Sequence, residues 1–340
     1  MSHRCKNAGV RGNSAPDAVI ACRGNESYPT SGSGVPTTAV SSLKLSSEGP
    51  CVSRLALGLW RLADWGLDAP GLLTLIEQCL DLGITTFDHA DIYGGYSCEQ
   101  RFGEALALNP SLRHRMQLIT KCGIKLVSKN RPAHQIKHYD TSRVHIVDSV
   151  ETSLRLLHTD HVDVLLIHRP DALMDADEVA EAFQSLRRAG KLLHVGVSNF
   201  APSQFELLAS RLDVELVTNQ LEISVAHIDA FLDGSLDLCQ RRRVSPMAWS
   251  PLSGGRLFTG SDERSAGLRQ ALTAVGHQLG GATLDEVALA WLLTHPARIV
   301  PVLGTGKLER IRAAVRAETL RLSREQWFAL WCASTGKEVP

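Results

Sequence analysis

Four side chains suited to acid–base chemistry stand at the ends of apolar runs in this 340-residue chain. They are Asp88 after ITTF, Tyr93 in a Gly-bounded loop five positions later, Lys121 after QLIT, and His168 after DVLLI. Each alone has an ordinary structural explanation: a helix cap, a packed surface phenol, a lysine reaching solvent, a structural histidine. Brought together they would need one another, because an unpartnered buried polar group costs several kcal/mol. A phenol titrates near about 10, and a neighbouring ammonium lowers that value by favouring phenolate. Asp88 would hold Lys121 charged and oriented. His168 would hydrogen-bond a substrate carbonyl or the phenol. The expected outcome is a phenol that gives up a proton near neutral pH and steadies a developing alkoxide. No nucleophile–base pair, G-x-S-x-G elbow or metal-ligand set accompanies these residues. Their natural use is to deliver a proton to a carbonyl that receives a hydride from elsewhere.

Something must carry these residues to one place. Apolar strands and amphipathic helices alternate from about residue 54 onward. RLALGLW, ITTFDHA, QLITKC, HVDVLLIHRP, LLHVGVSNF, VELVTNQLE, VSPMAWSPL and RIVPVLGT read as strands. Helical stretches separate them: 71–83, 97–108, 141–158, 175–190, 203–212 with Ser203 as N-cap, 228–243 and 283–295. Two more follow, at 307–317 and 323–334. Gly83 and Gly190 stand where helices should stop. Near-continuous apolar strands between helices belong to a covered parallel sheet. Eight such repeats fit a closed (β/α)8 barrel, a TIM barrel. An open doubly wound sheet would carry a G-x-G-x-x-G turn after an early strand, and LGLW does not supply one. Residues 1–47 are rich in Ser, Gly, Pro, Asn and Thr, and read as a disordered leader. Residues 48–340 then form a single barrel domain with a C-terminal helix. A short hairpin is expected from 40–43 to 52–55.

In a barrel, chemistry sits at the C-terminal ends of the strands. The later strands end in Ser198-Asn199, Asn219-Gln220, Trp249-Ser250 and Gly304-Thr305-Gly306-Lys307. A Gly-Thr-Gly-Lys turn opening a helix offers backbone N–H groups to an anion. Lys307 and Arg310 add two positive charges on one face. Residues 251–270, with paired glycines, read as a mobile loop able to cover a cofactor. Trp60, Tyr96 and His89 are placed near the mouth as candidates for shaping a substrate pocket.

In order, the segments FDHADIYGGYSCEQRFGEAL, ITKCG, LLIHRPD, GVSNF, NQLE, WSPL and GTGKLERI resemble the aldo-keto reductase superfamily across residues 50 to 335. The likeness is greatest to its bacterial oxidoreductase branch, which is also similar to the voltage-gated potassium channel β subunits. The resemblance implies NADPH-dependent reduction of aldehydes or ketones, with Asp88, Tyr93, Lys121 and His168 as catalytic tetrad and Tyr93 as general acid. It implies that Ser198, Asn199 and Gln220 bind the nicotinamide carboxamide and that Trp249, followed by Ser250, stacks on the ring. It implies that Leu252, Ser253 and Gly254 line the pyrophosphate. Thr305 and Lys307, after Gly304, would hold the 2′-phosphate with Arg310, which favours NADP over NAD. Many relatives contact adenine through Asn or Gln where this chain has Ala313 and Ala314. A second function class fits the resemblance, an NADP(H)-binding regulatory subunit with weak or vestigial chemistry.

Composition narrows the partners. Lys and Arg total 36, and Asp and Glu total 36. That balance gives no reason to expect nucleic acid or an anionic membrane, and the resemblance implies a small carbonyl compound as the partner. No apolar run is long enough to span a bilayer, and no secretory signal is apparent. The eight cysteines show no C-x-x-C pair and no zinc spacing. They read as reduced thiols, so a cytoplasmic setting is expected and no metal is.

Overall fold

The structure is a computed structural model and describes residues 39–340. Eight strands form one closed parallel barrel. They are β1 (Ala56–Gly58), β2 (Thr86–Asp88), β3 (Gln117–Cys122), β4 (Val162–Ile167), β5 (Leu192–Ser198), β6 (Leu216–Glu222), β7 (Met247–Trp249) and β8 (Val300–Leu303). Each pairs with its neighbours in chain order, and β8 returns to β1 through Val302 beside Ala56. The outer ring holds α1 (Ala69–Asp81), α2 (Cys98–Leu108), α3 (Arg143–Leu156), α4 (Ala176–Arg188), α5 (Pro202–Ala209), α6 (Ser235–Arg242), α7 (Leu284–Leu293) and α8 (Leu308–Ala317). The expected (β/α)8 architecture is what the chain forms.

Alternation along the strands builds two cores. In β4, Val164 and Leu166 pack inside the barrel with Ile119, Val217, Met247 and Val300. Leu165 and Ile167 face the helices with Phe87, Phe102 and Phe183. This period-two split follows from strand geometry. It also aims Lys121, two residues after the inward Ile119, into the barrel. Helix ends follow local chemistry. Asp175 caps α4 by accepting from the Asp177 and Glu178 N–H groups, and Arg187 and Arg188 occupy its last turn. Both placements suit the helix dipole. Gly83 (φ +81°) and Gly190 (φ +71°) close α1 and α4 in the left-handed region, as expected.

The bottom of the barrel is sealed by an antiparallel hairpin, Ser42–Lys44 against Cys51–Ser53. Leu43, Leu45 and Val52 join the interior core. The leader boundary at 47 therefore lies too late, because apolar burial begins at Val40. Residues 1–38 of that leader lie outside the described residues. Three helix readings also change. Pro202, not Ser203, opens α5, and the Gln204 Oε1 accepts from the Ala201 N–H. Gly234 (φ +84°) splits the stretch 228–243 into a single turn and α6. The second half of the expected mobile loop is helical, Glu263–Gln278, and it packs against the C-terminal helix Arg324–Thr335. Cys79, Cys98, Cys122, Cys239 and Cys332 are free thiols. No helix among the described residues is long and apolar enough to cross a membrane.

Candidate active site

The four acid–base residues meet at one mouth of the barrel. Lys121 is wholly buried. Its ammonium donates to both Asp88 carboxylate oxygens at 2.8 Å, to the His89 carbonyl at 2.7 Å and to the Tyr93 hydroxyl at 3.1 Å. Burial works against that charge, but Asp88 and Tyr93 outweigh it and raise the Lys121 pKa above its ordinary value. Tyr93 is partly exposed at the mouth and meets the His168 ring edge-on, with centroids 5.9 Å apart.

Here the electrostatics correct the expectation. Burial is the largest influence on the Tyr93 phenol and raises its pKa. Lys121 pulls it down, but not enough to reverse the direction. The phenol therefore keeps its proton through the neutral range, the form a proton donor needs. His168 titrates well below the ordinary imidazole, because of burial first and then Lys121, Arg169 and Lys137. It stays neutral, and its Nδ1 is buried without a partner.

Gln220 is a link that residue spacing does not disclose. Its Nε2 donates to the Asp88 Oδ1 at 2.8 Å. β6 and β2 lie opposite one another in the ring, so this bond crosses the barrel interior. Ser198 donates from Oγ to the Gln220 carbonyl at 2.8 Å. The Asn199 amide donates to the Ser198 Oγ at 2.8 Å and to the His168 carbonyl at 3.3 Å. Its Oδ1 accepts from the Trp249 indole N–H at 2.9 Å. Asn199 (φ +62°), Ser250 (φ +50°) and Ser253 (φ +54°) all hold left-handed backbone. Such strain in non-Gly residues clusters where a site fixes geometry. Beyond Trp249, Ser224 and Ser253 share a hydrogen bond at 2.8 Å, and Arg61 donates to the Gly254 carbonyl at 2.9 Å. Leu252 is half-buried.

At the end of β8, Gly304 is exposed, and a Cβ built on it would meet nothing within 4 Å. The Thr305 hydroxyl accepts from the Lys307 N–H at 3.2 Å. Gly306 lies flat against Trp65, where a Cβ would come within 2.6 Å of the indole. Lys307 and Arg310 are exposed and make no ion pair among the described residues. Free cations beside a glycine turn and a helix start form a cradle for an anion. Ala313 and Ala314, in the middle of α8, are buried.

The three pocket candidates separate. Trp60 is 58% exposed at the rim, with Arg61 over its ring. The Tyr96 hydroxyl accepts from the Leu126 N–H at 2.7 Å and so pins the 124–139 excursion. His89 is fully buried against Phe102, with both ring nitrogens unpartnered, and burial lowers its pKa to about 3. It belongs to the core and does not line the mouth.

Behind the site lie two acids that the residue pattern did not single out. Asp91 accepts from Ser149 at 2.9 Å, and Glu99 accepts from Thr120 at 2.6 Å and Ser153 at 2.9 Å. Burial first, then Glu99, raises Asp91 to about 8, and burial raises Glu99 to about 7. Both folded values lie above those of the unfolded chain, so the native state binds more protons between about pH 4 and 8. Stability from these groups is full below their unfolded pKa values and is lost as pH rises through the folded ones. We expect Tm to fall from pH 6 to 8.5, and Asp91→Asn to flatten that fall in a melting series. An unflattened slope would remove Asp91 as its source.

The comparisons agree with this geometry. The family model described as "Aldo/keto reductase family" matches residues 54–331. The chain is 54% identical over 288 residues to the Bacillus subtilis (strain 168) protein named "Uncharacterized oxidoreductase YcsN", covering 85% of this chain and 96% of that one. It is 52% identical over 301 residues to "Oxidoreductase YdhF" of Escherichia coli (strain K12), covering 88% and 100%. It is 49% identical over 289 residues to a "6-dehydroglucose reductase" of Agrobacterium fabrum, covering 85% and 96%. Among solved structures, the thermostable aldo-keto reductase Tm1743, crystallised with the inhibitor epalrestat, superposes with a TM-score of 0.72 at 27% identity over 86% of this chain and 99% of that one. With the barrel, the buried lysine and the phenol at its mouth, these matches show that the chain is an oxidoreductase belonging to the aldo/keto reductase family.

Proposed function

We propose that the protein reduces aldehydes or ketones to alcohols with NADPH, and that Tyr93 is the proton donor. The observation carrying this reading is the Tyr93 hydroxyl at 3.1 Å from a buried, charge-paired Lys121. When bound, NADPH supplies the hydride that reaches the carbonyl carbon. Tyr93 then gives its proton to the carbonyl oxygen, and the Lys121 ammonium steadies the phenolate left behind. Neutral His168 directs the carbonyl oxygen towards Tyr93.

The donor set suits the cofactor. The Gln220 Oε1 and the remaining lone pair of the Asn199 Oδ1 are available to the carboxamide N–H groups, and the Trp249 indole offers the face that Arg169 does not cover. Leu252, Ser253 and Gly254 lie along the expected pyrophosphate path. Thr305, Lys307 and Arg310 form the cradle for a 2′-phosphate. The "6-dehydroglucose reductase" relative suggests 6-dehydroglucose as the first substrate to try. The deciding experiment follows NADPH oxidation with 6-dehydroglucose and a panel of alkyl aldehydes, ketones and quinones. Oxidation dependent on a carbonyl compound supports the reading; NADPH binding with no turnover of any member sinks it.

Gln220→Leu tests the bond across the barrel. Without it Asp88 loses an anchor, and kcat should fall by about tenfold to a hundredfold, in line with losing a hydrogen bond to a charged group. A kcat within twofold of wild type would show that Lys121 alone holds Asp88.

A further inference from the structure

Arg169 follows His168 at the end of β4, yet its guanidinium lies over the Trp249 ring at the end of β7, 5.5 Å from the centroid. Those strands stand three places apart in the ring, so the side chain reaches across a chord of the mouth. The platform beneath it is fixed, because the Trp249 indole N–H is held by Asn199. Arg169 is half-buried and makes no hydrogen bond or ion pair among the described residues. The other shielded arginines among the described residues are satisfied. Arg113 binds Asp163 and two carbonyls, Arg54 binds carbonyls at the barrel bottom, and Arg61 binds Gly254. A guanidinium over an aromatic face keeps its N–H donors at the edge of its plane, free for a planar pair of acceptors. Arg169 also lies within electrostatic reach of His168, which it helps to keep neutral.

We propose that Arg169 is a specificity-determining residue that binds two adjacent oxygen acceptors of the substrate, a few bonds from the reducible carbonyl. Vicinal hydroxyls and a carboxylate both present that pair. A substrate held in this way places its carbonyl towards Tyr93 and His168 and its oxygen-bearing end against the open edge of the guanidinium, beside Trp249. Alkyl aldehydes lack the second anchor and are selected against. This inference rests on the reductase reading for its kinetic consequence but not for its binding consequence.

The test has two arms. In the first, kcat/KM is measured with D-glyceraldehyde, succinic semialdehyde and butanal for wild type, Arg169→Met and Arg169→Lys, with the NADPH Kd determined for each. The expected result is that Arg169→Met lowers the preference for glyceraldehyde or for the semialdehyde over butanal by more than about twentyfold, the range of one charge-assisted contact. Arg169→Lys should retain part of a carboxylate preference but little of a diol preference, which tells the two sources apart. Equal preference ratios in all three proteins, or a loss explained wholly by weaker NADPH binding, would overturn the proposal. In the second arm, xylitol and glutarate are titrated calorimetrically into the protein with NADP+ present. Binding of either that weakens more than fivefold in Arg169→Met supports the role. Absence of binding to wild type, or equal binding to both proteins, overturns it. If no aldehyde turns over, the reductase reading fails, while the calorimetric arm still decides the role of Arg169.

Discussion

Tyr93→Phe should lower kcat for carbonyl reduction by about 10²- to 10⁴-fold, the usual contribution of a positioned proton donor. The loss should fall on kcat more than on the NADPH Kd. The substitution removes one oxygen and leaves the ring packed against His168 and Lys121. Both neighbours keep their other supports, since Lys121 retains Asp88 and the His89 carbonyl. A collapse of the fold is therefore not the expected cause. Cofactor titration and circular dichroism on the same sample check this. Because burial raises the Tyr93 pKa, the wild-type rate should show no alkaline loss near pH 7 to 8 from this group. A Phe variant within tenfold of wild type would mean that another group delivers the proton.

Replacing both Lys307 and Arg310 by Ala should weaken NADPH binding by a hundredfold or more and leave NADH within about twofold. Each charge-assisted contact to a phosphate contributes on the order of 1.5–3 kcal/mol, and 1.4 kcal/mol is tenfold. Both side chains are exposed, so removing them breaks no hydrogen bond or ion pair among the described residues. That separates loss of the 2′-phosphate contact from a general loosening of the fold. Fluorescence titration of the two cofactors gives the ratio directly. Equal weakening for both would move the cradle's role away from the 2′-phosphate.

The repeating pattern of strand and helix made the barrel legible, because covered parallel strands are apolar on both faces and their spacing is regular. β3 is the clearest case: QLITKC is a strand over just those residues. The meeting of Asp88, Tyr93, Lys121 and His168 is legible for the same reason, since a barrel assigns strand ends to one mouth. What stayed hidden depends on distances across the ring. The contact of Gln220 with Asp88 joins residues 132 positions apart, and no local period encodes it. The reach of Arg169 to Trp249 is of the same kind. The direction of the Tyr93 shift is not legible in the sequence, because a neighbouring charge is visible there and the depth of desolvation is not.

If the protein reduces aldehydes as proposed, the hydrogen-bonding of Lys121 has a further chemical consequence. A primary amine attacks a carbonyl through its nitrogen lone pair and forms an imine. Lys121 has no lone pair to offer, since its pKa is raised and its ammonium is spent on Asp88, His89 and Tyr93. It is also sealed from the mouth by the phenol it serves. The amine nearest Tyr93 is thus protected from Schiff-base formation with an aldehyde in the mouth, while exposed lysines such as Lys129 carry that hazard in its place.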